Sequence, residues 1–184
     1  SLVEFLCWAH GRHPEKSYGV FCYNDNIATE RSMAVRDTLW SPAPTEMNER
    51  YSWVFPGLRP DVKRPWSQER FYLARNDPGK KDPSLVACGL DGSINARRLH
   101  GGVIDDPHSW AKAFSAYERG KMIQNWNLAV RTRFVEGAWK VCISVRWPSD
   151  AESPDMAGYL MSQDWPTLTT PALDEFDESN WPSE

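Results

Sequence analysis

The chain has 184 residues, enough for one domain with a hydrophobic core and too few for two domains of ordinary size. Hydrophobic residues make up 41% and charged residues 25%, a balance that is typical of globular proteins and excludes a wholly disordered chain. No apolar run approaches the roughly 18 residues of a membrane span. Glu4 interrupts the first apolar stretch, so no secretory signal is predicted either.

The charge is unevenly distributed along the chain. The formal net charge is −4, but many of the carboxylates lie in the last twelve residues: Asp174, Glu175, Asp177, Glu178 and Glu184. The rest of the chain is therefore close to neutral. The composition offers no concentrated basic surface from which nucleic-acid binding would follow on charge alone.

The predicted secondary-structure elements alternate between strand and helix. In chain order they are a helix at 2–10, a strand at 18–23, a helix at 26–39, strands at 85–88 and 102–105, a helix at 108–133, a strand at 139–145, a helix at 155–162 and a strand at 167–170. Asp25 is the predicted N-cap of the second helix, and Gly120 the predicted break in the third. Between 41 and 83, we expect loops with short elements such as 70–73. The alternation predicts an α/β fold with a mainly parallel sheet and flanking helices.

The four cysteines are isolated from one another, which favours reduced core thiols over disulfides. Cys7, His10, His13 and Cys22 are conceivable zinc ligands, but their spacing matches no compact structural zinc site. The interpretation that we favour is a helix with two exposed histidines.

A short apolar strand delivers two adjacent carboxylates to its end. The segment Gly101–Pro107, GGVIDDP, places Asp105 and Asp106 where open α/β sheets bind their ligands. In a phosphate-transferring ATPase, the first such residue helps to hold Mg²⁺ and the next orients or deprotonates the attacking water. The same pattern is typical of a helix start, with Asp106 as N-cap and proline in the first helical position. Both interpretations stay open.

A second polar group follows the predicted strand at 139–145. The segment Lys140–Trp147, KVCISVRW, brings Ser144 and Arg146 to the same edge of the sheet. A hydroxyl and a guanidinium beside a nucleotide can sense or stabilise its terminal phosphate, because guanidinium groups offer forked donors to phosphate oxygens. An ion pair between Arg146 and a neighbouring carboxylate explains the arginine equally well.

Four other arginines occur as two pairs, Arg131 with Arg133 and Arg97 with Arg98. Each could act as an arginine finger or contact a DNA phosphate. Solvated surface arginines are far commoner than either, so spacing alone selects none of the four as catalytic.

Taken together, these segments resemble the ATPase domain of tailed-phage large terminases of the terminase-6 type. The resemblance runs from residue 1 to about residue 181 and lies in the order of the segments GRHPEK, NDNIATERSMAVR, SLVACGLDGSINARRLHGGVIDDP, NWNLAVRTRF, SVRW, DMAGYLM and LTTPAL. It implies a P-loop NTPase-like fold of the additional-strand type over residues 1–172. It also implies that residues 173–184 are an acidic linker toward a nuclease domain.

The resemblance implies roles for individual residues, with Mg²⁺ and ATP as cofactors. Asp105 falls at the magnesium-coordinating position of the Walker B segment, and Asp106 at its catalytic acidic position. Ser144 and Arg146 fall in the motif that couples hydrolysis to DNA movement, where we expect a nucleotide contact and a catalytic arginine. Arg133 falls where the family often has an arginine, and we expect it to contact the nucleotide.

The function implied by the resemblance is ATP-driven packaging of viral DNA. The implied partners are double-stranded DNA, the portal protein, the small terminase subunit and further copies of the chain in a ring on the capsid, without a membrane. The implied location is the host cytoplasm, with transient attachment to the procapsid portal.

The chain departs from the family pattern in three places. Pro148 and Ser149 follow the coupling segment where the family has histidine and acidic residues, and Asn95 and Ala96 replace a frequent Thr-Gly pair. No segment matches G-x-x-x-x-G-K-[ST], the phosphate-binding loop. We expect that loop upstream of GRHPEK in a longer protein, so this chain alone should hydrolyse ATP poorly.

Two other functions are compatible with the same residues. The first is a degenerate ATPase fold that serves as a binding or assembly module, with Asp106 reduced to a helix cap. The second is a metal-dependent nuclease using Asp105 and Asp106, which requires further carboxylates near them.

Overall fold

The computed structural model describes residues 1–41, 46–77, 79–92, 94 and 97–168, with only the backbone described at positions 47, 48 and 50. The helices are α1 (Leu2–Arg12), α2 (Asp25–Leu39), α3 (Glu46–Val54), α4 (Trp110–Ala113), α5 (Ala116–Asn125) and α6 (Met156–Met161). The strands are β1 (Tyr18–Cys22), β2 (Arg70–Phe71), β3 (Leu85–Gly89), β4 (Leu99–Asp105) and β5 (Phe134–Ile143). A π-helical turn and a 3₁₀ turn connect α5 to β5.

The strands form one sheet in the order β2-β3-β1-β4-β5. Strand β1 pairs in parallel with β3 on one side and β4 on the other, and β4 pairs in parallel with β5. The two-residue strand β2 is antiparallel to β3 at one edge, and β5 forms the other edge. The predicted α/β architecture with a mainly parallel sheet is confirmed.

Helices cover both faces of the sheet, and each face has its own hydrophobic core. On one face α1 and α2 pack against side chains that include Tyr18, Val20 and Val103. On the other face, side chains of α5 and α6 pack against Phe21 and Ile104. The two faces together bury the centre of the sheet, so strand β1 is buried along its whole length.

Two glycines allow large rings to lie directly on β4. A Cβ atom at Gly101 would meet the ring of Trp139 at 2.1 Å, and one at Gly102 would meet the ring of Phe134 at 2.7 Å. Glycine is therefore required in both positions for β5 to pack its aromatic side chains across β4.

Several predicted boundaries are wrong. Asn24, not Asp25, is the N-cap of α2, because its side chain accepts a hydrogen bond from Ile27 N–H. Asp25 instead accepts a hydrogen bond from the backbone of Gly89 at the end of β3. The predicted helix at 108–133 breaks around Phe114, at the junction of α4 and α5, and not at Gly120.

Other differences concern whole segments. Helix α3 occupies part of the range predicted as loops, and β5 begins five residues before the predicted strand start at Trp139. Thr167 and Leu168, in the last predicted strand, are in neither helix nor strand, and residues 169–170 lie outside the described residues. The expected linker at 173–184 lies outside them as well.

The four cysteines and the first two histidines are only partly as predicted. All four cysteines are free, and Cys7 and Cys22 are buried. His10 is fully buried, so the prediction of two exposed histidines is wrong for His10 and correct for His13.

Among the described residues, no helix is both long and apolar enough to cross a bilayer.

Candidate functional site

The ends of three neighbouring strands meet at Asp106. Asp105 is the last residue of β4 and lies opposite Ile143 at the end of β5. The Asp106 N–H donates to the Ile143 carbonyl at 3.1 Å, and the Asp106 carbonyl accepts from the N–H of Tyr23, just after β1, at 3.1 Å. The backbone thus holds both carboxylates at the carboxyl edge of the parallel sheet, as the sequence predicts.

Asp105 is buried and paired with an arginine from α2. Its Oδ2 accepts a hydrogen bond from Arg31 Nε at 2.6 Å, and its side chain is only 9% exposed. The hydrogen bond to Asp105 raises the pKa of Arg31. A charge-assisted bond of this length fixes the carboxylate in one orientation. Arg31 could not be identified from the sequence, because its position on the helix carries no motif.

Asp106 has a left-handed backbone conformation, with φ of +46°. This region is uncommon for residues other than glycine, and such conformations cost roughly 1–3 kcal/mol and occur preferentially at functional sites. Asp106 is an exposed residue. Partial desolvation of its carboxylate, followed by the negative charge of Asp105, raises the pKa of Asp106. A carboxylate with a raised pKa is a stronger proton acceptor than an ordinary one.

The alternative interpretation of Asp106 as a helix cap is wrong. No helix begins at Pro107, because α4 starts at Trp110 and its N-cap position is Ser109. The residues between Asp106 and Ser109 are neither helix nor strand. The local backbone of Asp106 is therefore not explained by helix initiation.

Arg146 forms an ion pair with a carboxylate, which is one of the two explanations that the sequence left open for it. Its Nε lies 3.3 Å from Oδ2 of Asp155, a fully buried carboxylate. The same carboxylate accepts from the N–H of Trp147 at 2.8 Å and, as the N-cap of α6, from that of Gly158 at 2.8 Å. Arg146 therefore lies at the predicted edge, but in this structure it stabilises the segment between β5 and α6.

Ser144 also lies at the carboxyl edge, directly after β5. It is half-buried, and its hydroxyl donates to the carbonyl of Val145 at 2.8 Å. Rotation of the hydroxyl away from this local bond would leave it available to a ligand.

His108 connects the loop after β4 to α6. Its Nε2 accepts a hydrogen bond from the N–H of Met156 at 2.9 Å, and the ring is buried. Burial lowers the pKa of His108, and the nearby carboxylate of Asp155 opposes that shift. His108 and Asp155 thus join the ends of β4 and β5 to one helix. Neither was singled out as a site residue, although an aspartate before a helical run is a recognisable cap signal.

Arg133 does not lie with these residues. It directly precedes β5, and Phe134 pairs with Leu99 at the opposite end of β4 from Asp105. Six residues of strand separate the two ends of β4, a distance of about 20 Å at 3.3 Å per residue. The structure therefore places Asp105, Asp106, Ser144 and Arg146 at one edge of the sheet and Arg133 at the other.

Asp105 and Asp106 could bind Mg²⁺ only together with a bound ligand that supplies further oxygen atoms. Among the described residues, no group of three or more histidine, cysteine, aspartate or glutamate side chains could hold a metal ion. Mg²⁺ commonly uses one or two carboxylates, with substrate phosphates and water as its other ligands. The donor set of Asp105 and Asp106 fits that kind of site, and within the described residues it does not fit the carboxylate-rich centre of a metal-dependent nuclease.

No protein-family model matches the sequence, and no curated protein matches it significantly.

Proposed function

We propose that the chain is part of the ATPase domain of a viral large terminase, which couples Mg²⁺-dependent ATP hydrolysis to the translocation of double-stranded DNA. The observation that carries this proposal is the pair Asp105 and Asp106 at the carboxyl edge of the parallel sheet. Asp106 has a left-handed backbone there and does not cap a helix. The ordered resemblance of the segments to the terminase family supports the same assignment.

The free edge of the sheet supports a P-loop NTPase-like fold of the additional-strand type. Strand β5 has ten residues and, within the described part of the chain, pairs only with β4. Its side chains Val141 and Ile143 are 37% and 45% exposed, and Val145 just beyond it is 60% exposed. A further parallel strand on this edge would cover apolar surface and bring a phosphate-binding loop to the same edge as Asp105.

Each of the polar side chains at this edge would have its own role in hydrolysis. When bound, Mg²⁺ would neutralise charge on the phosphate oxygens. Asp105 would hold the ion, after exchanging Arg31 for it. Asp106 would orient the attacking water and accept its proton, a role that its raised pKa favours. Ser144 would contact the terminal phosphate, and Arg146 would reach it after release from Asp155.

The partners and location follow from the proposed motor. They are double-stranded DNA, the portal protein, the small terminase subunit and other copies of the chain in a ring. The motor would act in the host cytoplasm, at the portal of the procapsid.

A second candidate is a binding or assembly module with a degenerate ATPase fold. The observation that favours it is the ion pair between Arg31 and Asp105, since Arg31 takes up an oxygen of the carboxylate in the proposed metal position. In such a module, the pair would be a permanent structural link between α2 and β4.

Calorimetric titration with Mg·ATP separates the two candidates. The motor proposal predicts no detectable binding by the 184-residue chain, and binding once its native upstream residues with a phosphate loop precede it. Asp105→Asn should then weaken binding at least tenfold, since it removes the charge that holds the ion. Upstream residues without a phosphate loop would favour the degenerate module. Equal affinity of the extended chain with and without Asp105→Asn would rule out the proposed metal position.

A further inference from the structure

A separate cluster of arginines lies at the amino edge of the sheet. Arg97 and Arg98 directly precede β4, and Arg133 directly precedes β5. Because β4 and β5 are adjacent and parallel, and Leu99 pairs with Phe134, the two chain segments meet at this edge. Arginines 35 residues apart in the sequence are thus brought together, which their spacing did not reveal.

These arginines line an open cleft of about 510 Å³, here called the arginine cleft. Its charged side chains are Asp82, Arg97, Arg98 and Arg133, three guanidinium groups against one carboxylate. The cleft is therefore positive, whereas the whole chain has a formal charge of −4. A local positive potential on a negative protein attracts anions to that position.

The guanidinium groups of the arginine cleft have hydrogen-bond donors that are available to a ligand. Arg133 Nε is buried and has no hydrogen-bond partner among the described residues. Within the same residues, none of the three guanidinium groups forms an ion pair with a carboxylate. A buried charged donor left without a partner destabilises the folded protein, and an anion that accepts from it after rotation of the side chain would remove that cost.

We propose that the arginine cleft binds backbone phosphates of double-stranded DNA. Guanidinium groups bind phosphate oxygens through forked pairs of hydrogen bonds, and three of these groups line the cleft. The choice of DNA among polyanions rests on the proposed function, while the phosphate chemistry rests on the cleft. The cleft lies about 20 Å from Asp105, so it is a site distinct from the nucleotide edge.

The test is fluorescence anisotropy of a labelled DNA duplex titrated with the 184-residue chain over a series of salt concentrations. Arg98→Ala is the main variant, because Arg98 is exposed and its loss leaves the core intact. Arg133→Ala is the second. Arg131→Ala is the matched control: it removes the same charge two residues from Arg133, but Arg131 lies outside the cleft lining. Thermal unfolding checks that each variant is folded.

The proposal predicts that Arg98→Ala and Arg133→Ala each weaken duplex binding about tenfold. Each should also reduce the slope of log affinity against log salt by about 0.9, the value for one lost phosphate contact. Arg131→Ala should change neither quantity by as much. Equal effects of Arg98→Ala and Arg131→Ala, or no duplex binding by the wild type, would overturn the proposal. Binding of inorganic phosphate without binding of duplex would overturn the assignment to DNA.

The outcome of the DNA-binding titration does not depend on the nucleotide site. Arginine-dependent DNA binding by a chain whose upstream-extended form never binds Mg·ATP would support the cleft and refute the proposed motor. Mg·ATP binding by the extended form together with DNA binding that ignores the cleft arginines would do the reverse.

Discussion

Replacing His10 with leucine should remove a loss of stability that acid causes in this protein. His10 lies on the buried face of α1, with its ring 4.8 Å from that of Tyr18 and 5.5 Å from that of Phe71, centroid to centroid. Neither ring nitrogen has a hydrogen-bond partner among the described residues. Burial, with a smaller contribution from the positive charge of Arg75, lowers the pKa of His10 from 6.5 to about 3.

The sign and size of the effect follow from linkage. The folded protein holds His10 neutral, whereas the unfolded chain binds a proton as the pH falls below 6.5. Protonation therefore favours unfolding, and stability falls by about 1.4 kcal/mol for each pH unit below 6.5 until the pH approaches the folded pKa. At pH 5 the loss is about 2 kcal/mol, which corresponds to roughly 4–8 °C in Tm for a chain of this length.

Urea denaturation of the wild type and of His10→Leu at pH 7.5 and pH 5 measures this loss. The difference in unfolding free energy between the two proteins should shift by about 2 kcal/mol in favour of the variant on acidification. His13→Leu is the matched control for the loss of an imidazole, because His13 is exposed at the end of the same helix. A wild type and a His10→Leu variant with the same pH dependence would refute the assignment of a neutral, unpartnered His10.

Three further changes test the edge that carries the carboxylates. Arg31→Ala leaves the buried Asp105 carboxylate unpaired. Because Arg31 is partly exposed, we expect the free energy of unfolding, measured by urea denaturation, to fall by only about 1–2 kcal/mol. This loss should be larger than the loss for Asp105→Asn. The pKa of Asp106 in the folded protein is raised above 3.8. The wild type should therefore lose stability relative to Asp106→Asn as the pH rises through and above 3.8. A difference in unfolding free energy between the two proteins that does not change with pH would contradict this. Asp155→Ala removes the N-cap of α6 and the partner of Arg146. It should lower the free energy of unfolding, measured by thermal unfolding, by about 2–4 kcal/mol. A loss below about 1 kcal/mol would show that the contacts of Asp155 contribute little to stability.

The central strands were predictable because they are buried on both faces. Strands such as Tyr18–Cys22 are apolar along their whole length and are bounded by polar or turn residues, which is the pattern of a parallel core strand. Helix α3 was not predictable, because the prolines and charges around it dominate the local pattern. The early start of β5 was hidden as well, since Glu136 and Gly137 interrupt its apolar run.

The site was predictable only where one segment carries it. Asp105 and Asp106 follow a recognisable strand, so the edge of the sheet could be named in advance. Arg31 and Asp155 reach that edge from helices distant in the sequence, and no periodicity links them to it. Arg133 was assigned to the nucleotide by resemblance, and the parallel pairing of β4 with β5 places it at the other edge.

The most direct test of the proposed ATPase site is the rate of ATP hydrolysis by the chain preceded by its native upstream residues, with and without Asp106→Asn. Asp164→Asn is the matched control, because Asp164 also has a positive φ, +57°, but follows α6 and not a strand of the sheet. The proposal predicts that Asp106→Asn lowers kcat by about 100-fold or more, the contribution of a general base, while Asp164→Asn leaves it unchanged. Equal rates for the wild type and Asp106→Asn would contradict the catalytic role of the carboxylate edge.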